Sequence, residues 1–324
     1  MVYCSECGEN NSNKTDKVCK KCGCVLIKPE YFGLPTYADF NQLFTDKNKK
    51  KLNEMSFSVS AYYTILQNIY NQARTNYDEL LDDIPPEEYQ KMDVLTKVAL
   101  ITMAFAKINS KSRGAALGDY SFNMIRIDDI LDDIHQATTL LHELTHHIFA
   151  EIFEQTLMYL LEVKKSDVIE AYVGFALGTY PPHILLNEYC AHIVEGRFTP
   201  HGYQHFGSFE RILNQFFDPK NEEHVRIMNE QRVFGASLAT DILKILDGFI
   251  TPELRNEILD QFKNEAKFPP SYDKIDLETE EELPEPLKVF LINSILSSAF
   301  ESAQKVDLKE LNAIKENFNM INKS

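Results

Sequence analysis

Along most of this chain, hydrophobic residues recur with the period of a helix. Ser58 to Leu81, "SVSAYYTILQNIYNQARTNYDELL", carries apolar residues at helical spacing, with Ser58 or Ser60 as N-cap. Ile84 to Ile108, "IPPEEYQKMDVLTKVALITMAFAKI", reads as helix too, its prolines at the start and two glutamates in the first turn. The basic run "DKNKKK" ahead of them reads as a solvated loop. The pattern then changes. "NSKSRGAALGDY" is loop-like, with Gly114 and Gly118 as breakers. Ser121 to Asp128, "SFNMIRID", alternates as a strand does, Ile125 and Ile127 on one side, Met124 and Arg126 on the other. The aspartate pair that ends it can cap the next helix, expected over about 130–161. That helix is apolar on more than one face (Leu141, Leu144, Ile148, Ile152, Leu157), which predicts burial. Further helices are expected over about 167–177, after Pro181 and Pro182, and from about Phe209 onward. The acidic stretch "FPPSYDKIDLETEEELPEP" reads as a linker.

Composition narrows the class. The chain has 324 residues, 44% hydrophobic and 25% charged, as an ordinary soluble globular protein does. Thirty-three basic residues against 49 acidic ones leave a net charge of -16, which argues against nucleic acid or an anionic membrane as general partners. The longest apolar run, Val98 to Ala106, is too short to span a bilayer. "MVYCSECGEN" lacks the charged-then-apolar pattern of a secretory signal. The expectation is a cytoplasmic protein, where cysteines bind metal more readily than they form disulfides.

Five of the six cysteines lie in the first 24 residues. Cys4, Cys7, Cys19 and Cys22 form two C-x-x-C pairs, each followed by a glycine, Gly8 and Gly23. Glycine lets backbone amides approach the sulfurs, and four thiolates so spaced suit one tetrahedral zinc ion. The segment is too short to bury a core, and a structural zinc, at roughly 10–16 kcal/mol, would hold it folded. It resembles the short zinc ribbons at the ends of many bacterial and archaeal proteins, which implies a docking or folding module and a protein partner. Cys24 has no assigned role, and Cys190 reads as a small packed side chain.

The chemistry sits in "TTLLHELTHHIF", Thr138 to Phe149. His142 and His146 are four residues apart, so a helix puts both rings on one face within reach of one ion. His135 shares that face but lies two turns from His142, too far to join them. Glu143 is placed to take the proton of a metal-bound water. The alternative is a core helix whose histidines are satisfied by hydrogen bonds. The third ligand must come from elsewhere, since Phe149 and Ile152 occupy the positions a metzincin extension would need. Glu188 in "NEYCAH" is the leading candidate, and His192, four residues on and on the same face, is the runner-up. As a non-ligand, His192 would brace a ligand imidazole from behind or touch the substrate.

His142-Glu143-His146 followed by Glu188, Ala191 and His192 resembles the gluzincin branch of the zincin metallopeptidases, including its ImmA/IrrE-like members. His192 stands where those carry Asp or Asn. "GAALGDYSFNMIRIDDIL" before the motif also looks like minimal gluzincins and SprT-like proteins. The resemblance covers about residues 113–198. It implies that His142, His146 and Glu188 bind zinc, that Glu143 is general base and then acid, and that the strand near Asn123 to Ile127 pairs with an extended peptide substrate. Tyr180, His192, His201, Tyr203 and His205 are candidates for the oxyanion donor.

The expected fold is therefore α+β and mostly helical, a zincin-like core with a small sheet and an H-E-x-x-H helix. The expected divisions are a zinc ribbon (1–28), a helical region (29–112), the zincin-like core (113–206) and a helical C-terminal region (207–324). The expected function is a metallopeptidase with one catalytic and one structural zinc ion, acting on protein or peptide. The alternatives are a catalytically quiet interaction module and a zinc hydrolase of non-peptide amides.

Overall fold

The computed structural model describes residues 2–3, 10–11, 43–54, 57–111, 118–121, 124–128, 131–200, 202–266, 277, 279 and 281–305. The four cysteines of the expected ribbon, Cys4, Cys7, Cys19 and Cys22, lie outside these residues, as do His201, Asn123 and most of the acidic stretch. At the N-terminus, β1 (Val2–Tyr3) pairs antiparallel with β2 (Asn10–Asn11).

Most of the described chain is helical, as the periodicity predicts. Helix α1 spans Asp46–Glu54 and α2 Val59–Leu81, the latter capped by Ser58, whose hydroxyl accepts from the Ala61 amide. Helices α3 (Pro86–Lys91) and α4 (Val94–Phe105) follow. Asp93 separates them: its carboxylate accepts from the Thr96 amide and starts a new helix where the sequence pattern reads as one. Helix α4 also stops before Ile108, because Ala106 is extended, with φ -138° and ψ 163°.

The chain continues into β3 (Lys107–Lys111), β4 (Gly118–Ser121) and β5 (Met124–Asp128). The sheet order is β3-β5-β4, with β5 parallel to β3 and antiparallel to β4. The sequence pattern reveals only the last of these strands. Lys107–Lys111 and Gly118–Ser121 carry too little alternation to stand out, and pairing with β5 makes them strands.

Helix α5 (Asp133–Leu161) holds the motif. Its N-cap is Asp132, not the expected Asp128–Asp129 pair, and the Asp132 carboxylate accepts from the His135 amide at 3.0 Å. The helix is buried along nearly its whole length, from Ile134 to Leu161. It packs against α2, α4, β4 and β5, and against α6 (Asp167–Gly178) and α7 (Pro181–Glu195). Its last turn ends in Glu162 at φ 57°, where the left-handed backbone turns the chain out of the helix. Lys51 seals this end, donating to the Leu161 carbonyl at 3.2 Å and pairing with Glu162. The run "DKNKKK" is thus part of a helix rather than a loop, and one of its lysines caps the central helix.

Beyond the core lie α8 (Gly207–Phe216), α9 (Glu222–Leu246), α10 (Pro252–Glu265) and α11 (Glu285–Lys305). Helix α9 presses closely on α7. A Cβ on Gly235 would lie 2.8 Å from Tyr189 Cβ and 3.2 Å from the Leu186 carbonyl, so glycine lets the two backbones approach. That contact fixes the height of α7, the helix carrying Glu188 and His192. Among the described residues, no helix is long and apolar enough to cross a membrane.

Candidate metal centre

The centre forms where α5 and α7 cross. His142 and His146 project from adjacent turns of α5, their ring centroids 4.8 Å apart and their Nε2 atoms 3.1 Å apart. Asn187, Glu188, His192 and Glu195 come from α7, where spacings of three, four and seven residues put Glu188, His192 and Glu195 on one face. Glu188 Oε2 lies 3.9 Å from His142 Nε2, and its Oε1 lies 3.8 Å from His146 Nε2. His192 Nε2 lies 3.6 Å from Glu188 Oε2. Ligand atoms of His142, Glu188 and His192 all fall within 4.8 Å of one another.

Hydrogen bonds behind the rings decide what these nitrogens offer. Glu195 Oε2 accepts from Nδ1–H of both His142 and His192, each at 3.0 Å. Asn187 Oδ1 accepts from His146 Nδ1–H at 2.9 Å. These acceptors favour a proton on each Nδ1, which leaves Nε2 of a neutral ring free to bind a cation. His142 and His146 thus meet through Nε2, and the Glu188 carboxylate lies within 3.9 Å of both and 3.6 Å from His192 Nε2. A cation bonded at about 2.0–2.2 Å spaces its donors about 3–3.6 Å apart, close to the observed separations. Nitrogen and oxygen donors without sulfur suit zinc and its divalent neighbours.

The electrostatics point the same way. Burial lowers the proton affinity of His142, but the Glu195 hydrogen bond and charge, with Glu143 and Glu188, outweigh it and raise its pKa to about 9. His146 is driven the opposite way, to about 4, by burial and by the neighbouring His142 and His192, against the pull of Glu188. Burial opposes ionisation of Glu195, yet hydrogen bonds from His142 and His192 hold it down at about 2. One proton on His142, shared toward His146, is the smallest cation that relieves the crowding of lone pairs.

The structure therefore brings together His142, His146, Glu188 and His192. The choice between Glu188 and His192 does not arise from position, since both reach the centre. The bracing expected of His192 is done instead by Glu195, which sequence reasoning missed. Its signal was available, for Glu195 lies seven residues after Glu188 on the same face. Asn187, inside the quoted motif, was also missed. Glu143 is buried beside His142.

Several expected residues lie elsewhere. Tyr203 and His205 gather round His135, with ring centroids 6.4 and 5.7 Å from it. Tyr180 is half exposed and packs on His183. The strand expected to present a substrate edge, β5, is the middle strand of its sheet, so it has no edge to offer. The outer strand β4 runs beside α5 instead, its Tyr120 hydroxyl 3.4 Å from His147 Nδ1. Cys190 is fully buried and burial raises its thiol pKa strongly, as expected of a packed side chain.

No family model matches this chain, and no curated protein and no solved structure does either.

Proposed function

We propose that the chain is a gluzincin-like zinc metallopeptidase. The observation that carries this reading is the meeting of His142, His146 and Glu188, from two helices 42 residues apart in sequence, with each imidazole braced through Nδ1. Those three side chains would hold the ion. A bound zinc ion supplies a Lewis acid that acidifies water and polarises a carbonyl. Glu143, next to His142 on the same helix, would take a proton from the attacking water as its oxygen bonds the scissile carbonyl carbon, and give that proton to the amine nitrogen as the C–N bond breaks. Glu195 and Asn187 keep the rings in register throughout. The outer strand β4 aligns an extended peptide by backbone hydrogen bonds, the role β5 cannot fill. The four N-terminal cysteines would hold a second, structural zinc.

The test is Glu143→Gln in the full-length chain, assayed on casein and on a mixed peptide library. The variant is expected to retain two zinc ions per chain and to lose roughly 10²–10⁴-fold in cleavage rate. Cleavage at the parent's rate would refute the peptidase mechanism.

One observation favours a second reading, a zincin-like interaction module without turnover. A fourth donor, His192, reaches the centre, and a four-coordinate ion with four protein ligands has no open position. A stable, uncleaved protein partner retained by the wild-type chain would support it.

A further inference from the structure

We propose that His192 is a fourth protein ligand of the ion held by His142, His146 and Glu188, bonding through Nε2. The proposal rests on the metal reading above and deepens it. Sequence reasoning left His192 three roles, and the structure removes two. Bracing a ligand ring belongs to Glu195, whose Oε2 takes the Nδ1–H of both His142 and His192. Contact with substrate requires access, and the His192 side chain is 1% exposed, against 11%, 10% and 16% for His142, His146 and Glu188. Of the four side chains, His192 is the most enclosed.

What remains is the deep nitrogen. His192 Nε2 is buried and has no hydrogen-bond partner among the described residues. Its separation from Glu188 Oε2, 3.6 Å, is too long for a hydrogen bond but suits two donors sharing one ion. Its ring centroid is 4.5 Å from that of His142. With Nδ1 bonded to Glu195, Nε2 is left to face Glu188, and ligand atoms of His142, Glu188 and His192 lie within 4.8 Å of one another. The ligand set is then three imidazoles and one carboxylate. An ion so held keeps a place for a further ligand only at coordination number five or higher, which zinc, iron(II), cobalt(II) and manganese(II) can adopt.

The experiment uses the full-length chain loaded with cadmium, whose NMR separates a thiolate site from a nitrogen and oxygen site. Wild type, His192→Ala and His192→Gln are compared, with zinc affinity measured by chelator competition. Gln can still donate to Glu195, so it serves if the alanine variant does not fold. The expected result is a displaced or lost nitrogen and oxygen resonance, an unchanged thiolate resonance, and zinc affinity at that site weakened more than about 100-fold. An unmoved resonance and unchanged affinity in a folded variant would overturn the proposal, even if the protein cleaves peptides. A displaced resonance in a protein that never cleaves would uphold the ligand and sink the peptidase reading.

Discussion

Two buried polar clusters flank the same core, and they are built on opposite terms. In one, Asp241 accepts from the Tyr62 hydroxyl at 2.9 Å, from Lys288, and from Lys244 at 3.2 Å. Its charge meets ammonium groups directly, and it ties α2, α9 and α11 together. In the other, imidazole lone pairs and a carboxylate crowd one another at 3.1 to 3.9 Å around His142. In the first cluster one carboxylate faces three donors. The second sets imidazole nitrogens and a carboxylate against one another, with His142 and His146 meeting nitrogen to nitrogen at 3.1 Å. A buried network that satisfies itself reads as structure, and one that converges like groups reads as a site.

The largest expected effect breaks the self-satisfied cluster. Lys288→Met leaves buried Asp241 with only the exposed Lys244 and the Tyr62 hydroxyl as partners, and should cost up to about 3–5 kcal/mol of stability. Zinc content should stay equal to the parent's. Denaturant unfolding and metal analysis check both, and loss of an ion in the variant would erase the distinction between the clusters.

Next in size is Glu195→Gln, which removes the charge behind two rings while keeping an acceptor. Zinc affinity at this centre should fall about 10–100-fold, and stability of the metal-free chain should change less than in Lys288→Met. Calorimetric titration of zinc gives the first quantity and chemical denaturation the second. Unaltered affinity would show that Glu195 is a packing residue.

The smallest effect sharpens the contrast through pH. Two turns beyond the motif, Glu151 and Glu154 share Lys165. Burial, only partly offset by Lys165, pushes Glu154 above the ordinary carboxylate value of 4.5. The folded state therefore binds a proton there more tightly than the unfolded chain does. Stability from this group is full below 4.5 and declines as pH rises toward the raised value. Glu154→Gln should flatten that decline. Its melting temperature should exceed the parent's by more at pH 8 than at pH 5, and a gap equal at both would contradict the assignment.

Much of the site was legible in one dimension. The helical repeat places His142 and His146 on one face, and Glu188 and His192 on one face of a later helix, whatever the fold. Long helices such as α2 and α5 were legible for the same reason, since many residues repeat one signal. Short strands were not. β3 and β4 are five and four residues long and, among the described residues, pair with β5 alone, so nothing local announced them. Lys51 looked like surface charge because its partner, the C-terminus of α5, lies 110 residues away.

The sequence by itself determined which residues share a helix face and which elements could bear ligands, because rotation per residue is a local property of the backbone. Only the tertiary structure decided that the two ligand-bearing faces meet. That depends on the close approach of α9 to α7 at Gly235, and on one carboxylate, Glu195, binding a ring from each helix. Periodicity says where a side chain points on its own rod. Packing between rods, set by contacts far apart in the chain, says what it points at.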